Sequence, residues 1–454
     1  MTAERQAAAT AAAVATALLA GPWRRREMVR RVAVALGQDR ARTWVGTLVG
    51  EVQTHHPTAP VDRPRELARL VRTTRGWERG HSSPPFPRPV RWQPVPTALA
   101  RRRWPVADLP DQAAVARLLD VDAGELAWFA DARRLERTAG EALRHYRWRV
   151  VQRPAGVRLL AAPKPRLKEA QRRLLRHVLD RVPVHEAAHG CVPGRSVRTA
   201  VAPHAGSAVL LRMDLEAFFA SIAAGRVHGL LLGVAGLPEP VAHVLTGLMT
   251  TVLPAEVWAR VPVPDGIEAR ERHRRLAQRL GVPHLPQGAP TSPALANLVC
   301  HRLDRRLTGL AAASGATYTR YVDDLTFSGG RRIHRDRFAD LVTAVVEEEG
   351  FRVNAAKTSA TSAARRQSVL GTVVNDHPAL PRPERDALRA LLHNCAVHGW
   401  TTQTRERDPA TFRDHVLGRV AWAASVDPAF GARLHRLADR IDWTPPPRAS
   451  GMGR

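Results

Sequence analysis

Three cysteines, Cys191, Cys300 and Cys395, are all that the 454 residues contain. They are too few and too scattered for a disulfide framework or a four-ligand zinc site, and they fit a reducing cytoplasm. Long apolar runs are missing as well, since no segment reaches the roughly 20 apolar residues that a membrane span needs. The alanine-rich stretch from Ala7 to Ala20 comes nearest to an export signal. It follows Glu4 and Arg5, however, holds few large apolar side chains and runs into Arg24, Arg25 and Arg26, so it reads as a helix. No G-x-S-x-G, H-E-x-x-H or G-x-x-x-x-G-K-[ST] pattern occurs, which leaves out the serine-hydrolase elbow, the zinc-protease helix and the P-loop. Acidic residues are in deficit: 42 Asp+Glu stand against 69 Lys+Arg, a formal charge of +27 spread along most of the chain. A field of that sign attracts a polyanion, although a genome rich in alanine and arginine codons produces the same excess.

One core stops growing near roughly 250 to 300 residues, so a chain of this length predicts two to four packed subdomains. Residues 1–80 carry Met28, Val32, Ala35 and Leu36 at helical spacing and predict a helical N-terminal extension. Pro84, Pro85, Pro87, Pro89, Pro94, Pro96 and Pro105 make 81–105 a linker, because proline fixes φ and donates no N–H. Residues 106–375 alternate between helical and strand patterns, and 376–454 turn helical. In the middle segment, 111–119 and 123–137 read as short helices. Trp148–Gln152 and Val157–Leu160 read as a hairpin around Pro154-Ala155-Gly156, and Lys168–Val182 as a basic amphipathic helix.

The chemistry concentrates at two places. Val209–Met213 is a short apolar strand that delivers Asp214. About a hundred residues on, Tyr321-Val322-Asp323-Asp324-Leu325-Thr326-Phe327 sets two adjacent carboxylates between β-prone runs, where a hairpin turn would expose them. Adjacent aspartates usually just solvate a turn. Flanked by strands apolar enough to be buried, they are costly unless a cation compensates. Three carboxylates from two strands suit a hard, oxygen-seeking ion such as Mg²⁺.

The motifs around these aspartates resemble those of the reverse transcriptases, most closely the bacterial retron type, and they occur in that family's order over about residues 106–445. They are Gly156-Val157-Arg158-Leu159-Leu160; Leu167-Lys168 with Gln171-Arg172; Ala188-His189-Gly190 with Gly194-Arg195-Ser196; the Asp214 strand; Pro286-Gln287-Gly288-Ala289-Pro290-Thr291-Ser292-Pro293; Tyr321-Val322-Asp323-Asp324; Gly350-Phe351-Arg352-Val353-Asn354 with Lys357; and Val369-Leu370-Gly371.

The resemblance implies an α+β right-hand polymerase, with fingers, a palm built on an antiparallel sheet and a helical thumb carrying Arg382, Arg385, Arg389, Arg405, Arg413 and Arg419. It implies Asp214, Asp323 and Asp324 as ligands of two Mg²⁺ ions, with the Leu215 carbonyl completing one site. Arg158, Phe219, Gln287 and Lys357 would meet the incoming dNTP, Phe219 rejecting a 2′-hydroxyl. Lys168, Arg172, Gly288, Ser292 and Tyr321 would meet template and primer. The implied partners are a structured noncoding RNA, the DNA product and an effector protein, with no membrane, and the implied product is a branched RNA–DNA hybrid used in antiphage defence.

Departures from the family pattern stand out: Val322 where alanine is common, Thr199-Ala200-Val201-Ala202-Pro203-His204 where the retron pattern is Asn-Ala-x-x-His, Val369-Leu370-Gly371 where it is Val-Thr-Gly, and an N-terminal extension of about 105 residues beyond the minimal retron enzyme. Group II intron-like, diversity-generating and abortive-infection reverse transcriptases, and a catalytically silent RNA-binding scaffold, remain alternatives on sequence alone.

Overall fold

The computed structural model describes residues 3–37, 43–60, 64–82, 87, 104–131, 135–153, 156–234, 236–330, 335–404 and 408–444. Most of the expected 81–105 linker, the Pro154-Ala155 turn and Arg405 lie outside these residues. The chain divides into two compact units. The first gathers Met1–Glu186, Leu215–Arg306 and Thr343–Arg352, and the second Ala187–Asp214, Leu307–Val342 and Val353–Arg454. Both helices and antiparallel sheets are present, and among the described residues no helix is long and apolar enough to cross a membrane.

The first unit begins with the helices Ala3–Leu19, Arg25–Ala35, Thr43–His55, Pro64–Thr73 and Arg75–His81. Met28, Val32, Ala35 and Leu36 are buried with Leu18, Leu48, Leu67 and Trp77 in one core. The buried Arg31 closes the end of the first helix, donating to the carbonyls of Ala17 at 2.8 Å, Leu18 at 3.0 Å and Pro22 at 2.9 Å. A helix end leaves carbonyls without partners, and a guanidinium with five donors can serve several at once.

The short helices of the middle segment are Gln112–Leu119, capped by Asp111, and Ala123–Phe129, capped by Asp122 in a reciprocal box with Glu125. The second helix stops well before residue 137, and Asp131 just beyond it takes a left-handed φ of 48°. Strands β1 (Tyr146–Arg153) and β2 (Gly156–Pro163) form an antiparallel hairpin, followed by the helix Pro165–His177.

The second unit holds a four-stranded antiparallel sheet. Its strands are β3 (Val209–Asp214), β4 (Ala316–Tyr321), β5 (Asp324–Gly329) and β6 (Ser359–Ser362), in the order β4-β5-β3-β6. The helices Arg382–His398, Pro409–Val426 and Pro428–Ala438 share a separate core that includes Leu388, Leu392, Phe412, Val416, Phe430 and Leu434. A polar tie joins the edge strand β4 to its neighbour β5: buried His204 lies between Ser328 on β5 and Thr319 on β4, each 2.7 Å away. Thr319 spends its hydroxyl proton on the Ala200 carbonyl at 3.0 Å, so Nε2 of His204 carries the ring proton and Nδ1 accepts from Ser328.

Burial, with a smaller contribution from His189, pushes the His204 imidazole down to about 4. Between that value and the ordinary value near 6.5 the unfolded chain takes up a proton that the native state refuses, so this tie is fully present above pH 6.5 and is lost as pH falls toward 4. We expect His204→Gln to lower unfolding free energy at pH 7.5 by about 1 to 3 kcal/mol, because one buried hydroxyl loses its partner. Urea titrations should show the gap between variant and wild type closing at pH 5; an equal gap at both values would contradict the neutral tie.

Candidate active site

The register of the sheet brings the sequence-distant aspartates together. Asp214 is the last residue of β3 and pairs directly with Asp324, the first residue of β5. Asp324 also pairs with Tyr321, the last residue of β4, so Val322 and Asp323 alone form the turn. Asp214 is buried, and Asp323 and Asp324 are half-buried at the same end of the sheet. Burial, then Asp214, then Asp324 push the Asp323 carboxyl up to about 6. Asp324 is raised by burial and Asp214, against the pull of Arg212 and Lys357. These are the marks of crowded like charges short of a counterion.

Asp214 is held from a third element. Asn354 donates its backbone N–H to the Asp214 carbonyl at 2.7 Å and its side-chain amide to Oδ2 at 3.3 Å, while Lys357 Nζ donates to Oδ1 at 2.9 Å. The resemblance gave Lys357 a place near the triphosphate, whereas its partner in this structure is Asp214. Sequence reading assigned Asn354 no role beyond membership of a motif.

The donor set, Asp214 beside the raised Asp323 and Asp324, fits a hard divalent cation, and among the described residues Lys357 and Arg212 offset its charge. Among the described residues there is no group of three or more His, Cys, Asp or Glu that could hold a metal ion. Mg²⁺ does not demand one, since it commonly takes one or two carboxylates and fills the remaining positions with water and substrate phosphate.

Of the remaining expected residues, Leu215, Phe219, Gln287, Gly288, Ser292, Arg158, Lys168 and Arg172 fall in the first unit. Leu215 is buried. Phe218 is buried against Phe351 with ring centroids 5.7 Å apart, whereas Phe219 is half-exposed. Gln287 returns its carbonyl to the Ala161 N–H on β2 at 2.8 Å. Gly288 adopts φ 133°, and a Cβ there would stand 3.0 Å from the Ala161 carbonyl oxygen. That loop is closed by Ser292, whose buried hydroxyl donates to the Pro286 carbonyl at 2.7 Å; Ser292 thus faces inward in this structure. Arg158 on β2 is half-buried, and Lys168 and Arg172 are exposed one turn apart on the helix Pro165–His177. Tyr321, in the second unit, is half-buried, and burial raises its phenol. On the C-terminal helices Arg382, Arg389 and Arg413 are exposed, and Arg385 lies 4.9 Å over the Phe430 ring.

The family profile described as "Reverse transcriptase (RNA-dependent DNA polymerase)" matches residues 151–374. The Retron Mx65 reverse transcriptase of Myxococcus xanthus is 42% identical over 344 residues, covering 76% of this chain and 74% of that protein. The chain belongs to the retron reverse transcriptases. The Retron Mx162 reverse transcriptase of the same organism is 40% identical over 72% of this chain and 66% of its own length, and the Retron Ec86 reverse transcriptase of Escherichia coli is 29% identical over 63% and 77%. This reverse transcriptase is therefore an RNA-directed DNA polymerase, of a family that generally depends on divalent metal. The intron-like, diversity-generating, abortive-infection and scaffold alternatives give way to the retron relatives.

The raised Asp323 carboxyl sets a testable balance. Its charge is disfavoured in the native state between the unfolded value near 3.8 and about 6, so metal-free stability falls as pH rises through that window and stays reduced above it. Asp323→Asn should stabilise the metal-free enzyme at pH 8, by about 1 to 3 kcal/mol, and bring nothing at pH 4. Thermal melts in EDTA at both values decide it; no stabilisation at pH 8 would mean that the carboxyl ionises freely.

Proposed function

We propose that this reverse transcriptase copies its own structured noncoding RNA into DNA, starting from an internal 2′-hydroxyl, and so makes the branched RNA–DNA hybrid (msDNA) used in cytoplasmic antiphage defence with an effector protein. The observation that carries the catalytic part is the meeting of Asp214 with the Asp323-Asp324 turn across β3 and β5. In this reading Asp214, Asp323 and Asp324, with the Leu215 carbonyl, hold two Mg²⁺ ions. Bound there, the ions would ease deprotonation of the primer hydroxyl and offset charge on the departing pyrophosphate. The primer oxygen attacks the α-phosphorus of the dNTP, the bond to the β-phosphate breaks, and pyrophosphate leaves.

The protein's own groups orient and discriminate. Asn354 fixes Asp214 from the backbone and the side chain, so that carboxylate cannot rotate away. Lys357 carries a proton on a flexible stem and delivers it to the leaving group. Arg158 offers a guanidinium fork to the triphosphate, and Gln287 and Gly288 present a flat backbone to the nascent base pair. Phe219, turned outward while Phe218 fills the core, rejects a ribose 2′-hydroxyl by bulk. Residues 106–375 act as fingers and palm, with Lys168, Arg172 and Tyr321 on template and primer and Ser292 keeping the glutamine loop closed. Residues 376–454 act as the thumb. The 1–80 helices form the N-terminal extension.

Replacing both Asp323 and Asp324 with alanine should abolish Mg²⁺-dependent extension of oligo(dT) on poly(A) while leaving RNA binding intact, and polymerisation by the double variant would overturn the metal assignment. Phe219→Val should raise ribonucleotide incorporation at least tenfold relative to dNTP in single-nucleotide extension; unchanged discrimination in a folded variant would return Phe219 to a packing role.

A further inference from the structure

The turn that presents Asp323 and Asp324 is built in an unfavourable way. Two-residue hairpin turns with a left-handed first residue favour glycine there. Here that residue is Val322 at φ 60°, and a β-branched side chain in this region is a genuine outlier, at a cost of about 1 to 2 kcal/mol. Something around the turn must hold it.

Two features do so. Arg320 has no exposed surface, an extreme state for an arginine, and its Nη1 donates to the Val322 carbonyl at 3.0 Å. Its backbone is fixed from the other side by a segment laid along β4: the Arg320 N–H donates to the Ala187 carbonyl at 2.7 Å, and the Arg320 carbonyl accepts from the His189 N–H at 2.8 Å. Arg195 secures that segment by donating to the Ala188 carbonyl at 2.7 Å. The segment then brings Gly190 flush against the turn. A Cβ on Gly190 would stand 2.6 Å from Val322 Cγ2, 2.7 Å from the Val322 nitrogen and 3.2 Å from the Tyr321 carbonyl carbon.

We propose that Arg320 and Gly190 are positioning residues of this polymerase: Arg320 clamps the Val322 carbonyl, and the bare Gly190 backbone lets the 187–190 segment brace the opposite side, so that Val322 stays left-handed and Asp323 and Asp324 keep their orientation. The inference rests on the proposed role of the two aspartates, but the clamp itself can be read without catalysis. It also gives Ala188-His189-Gly190 and Arg195 a purpose, as the brace along β4 and its anchor.

The test uses full-length Arg320→Lys and Gly190→Ala, each alone and combined with Val322→Gly, which occupies the left-handed region without strain. Arg320→Lys should speed hydrogen exchange of the 321–325 amides by tenfold or more in metal-free protein, weaken Mn²⁺ binding by EPR several-fold, and lower kcat tenfold or more with KM for dNTP within about twofold. Val322→Gly should restore much of the kcat lost through Arg320→Lys. It should not rescue Gly190→Ala, because the clash with the Val322 nitrogen persists.

Unchanged exchange in the turn of Arg320→Lys, or an Arg320→Lys kcat loss that Val322→Gly leaves untouched, would overturn the clamp. If Arg320→Lys fails to fold by circular dichroism, Gly190→Ala carries the decision by the same exchange and kcat readings: faster exchange with reduced kcat supports the brace, and wild-type values sink it. Should the Asp323/Asp324 alanine double variant still polymerise while exchange responds as expected, the clamp stands and the metal assignment falls.

Discussion

The pairing of Asp214 with Asp324 across β3 and β5 is the contact on which the candidate site depends. Its register is fixed by the apolar pairs that lead up to it, Leu211 opposite Phe327 and Met213 opposite Leu325, all four buried. A slip of one residue would turn that whole set toward the other face of the sheet and carry Asp214 with it, so the apolar pairs specify the acidic one. His204 adds a second restraint by tying β4 to β5 from their neighbouring hydroxyls.

The same end of the sheet is unfavourable in isolation. Three carboxylates lie close together with Asp323 and Asp324 raised in pKa, and one of them sits on a turn whose first residue is left-handed against its own preference. Structures keep such strain where function needs it and support it from outside. Here the support comes from Asn354 and Lys357 on Asp214, and from Arg320 and Gly190 at the turn. A divalent cation would relieve the charge but not the backbone strain, and the clamp answers the strain but not the charge, so the two needs are met separately.

The strands, the hairpin turn and the division of labour between Phe218 and Phe219 were legible because each depends on short-range pattern. Apolar runs mark β3, β4 and β5, the paired aspartates interrupt them where the chain reverses, and of two adjacent aromatic residues one must turn away from the core. The ion pair of Lys357 with Asp214 was not legible, because the two residues lie 143 positions apart in the chain. What sequence did not yield were polar residues with distant partners. Arg31, His204, Arg320 and Asn354 read as ordinary surface or motif residues until tertiary contacts bury or pair them. The helix expected over 123–137 stops at Phe129 because local apolar spacing continued where the backbone turned left-handed at Asp131.

Phe219 is half-exposed while its neighbour Phe218 is buried. Phe218 packs in the core against Phe351, and Phe351 follows Gly350, whose φ of 77° comes just after the helix Arg335–Glu348. The end of that helix is pinned by charge. Glu349, buried, accepts from Arg302 and Arg306 at 2.7 Å each; Glu348 is bound by Arg306 and, at 3.3 Å, by Arg65 of the N-terminal helices. Arg226 covers the Phe351 ring at 4.5 Å, and the Arg352 carbonyl accepts from the Glu216 N–H at 2.8 Å, two residues past Asp214. A buried ion network of this kind is weak evidence for stability, because hydrophobic replacements often do as well, whereas loss of one partner is expensive. Its value here is directional. Ion pairs hold the chain two residues before Phe351, Phe351 packs on Phe218, and Phe219 is left half-exposed at the position from which, in the proposed reading, it sorts sugars.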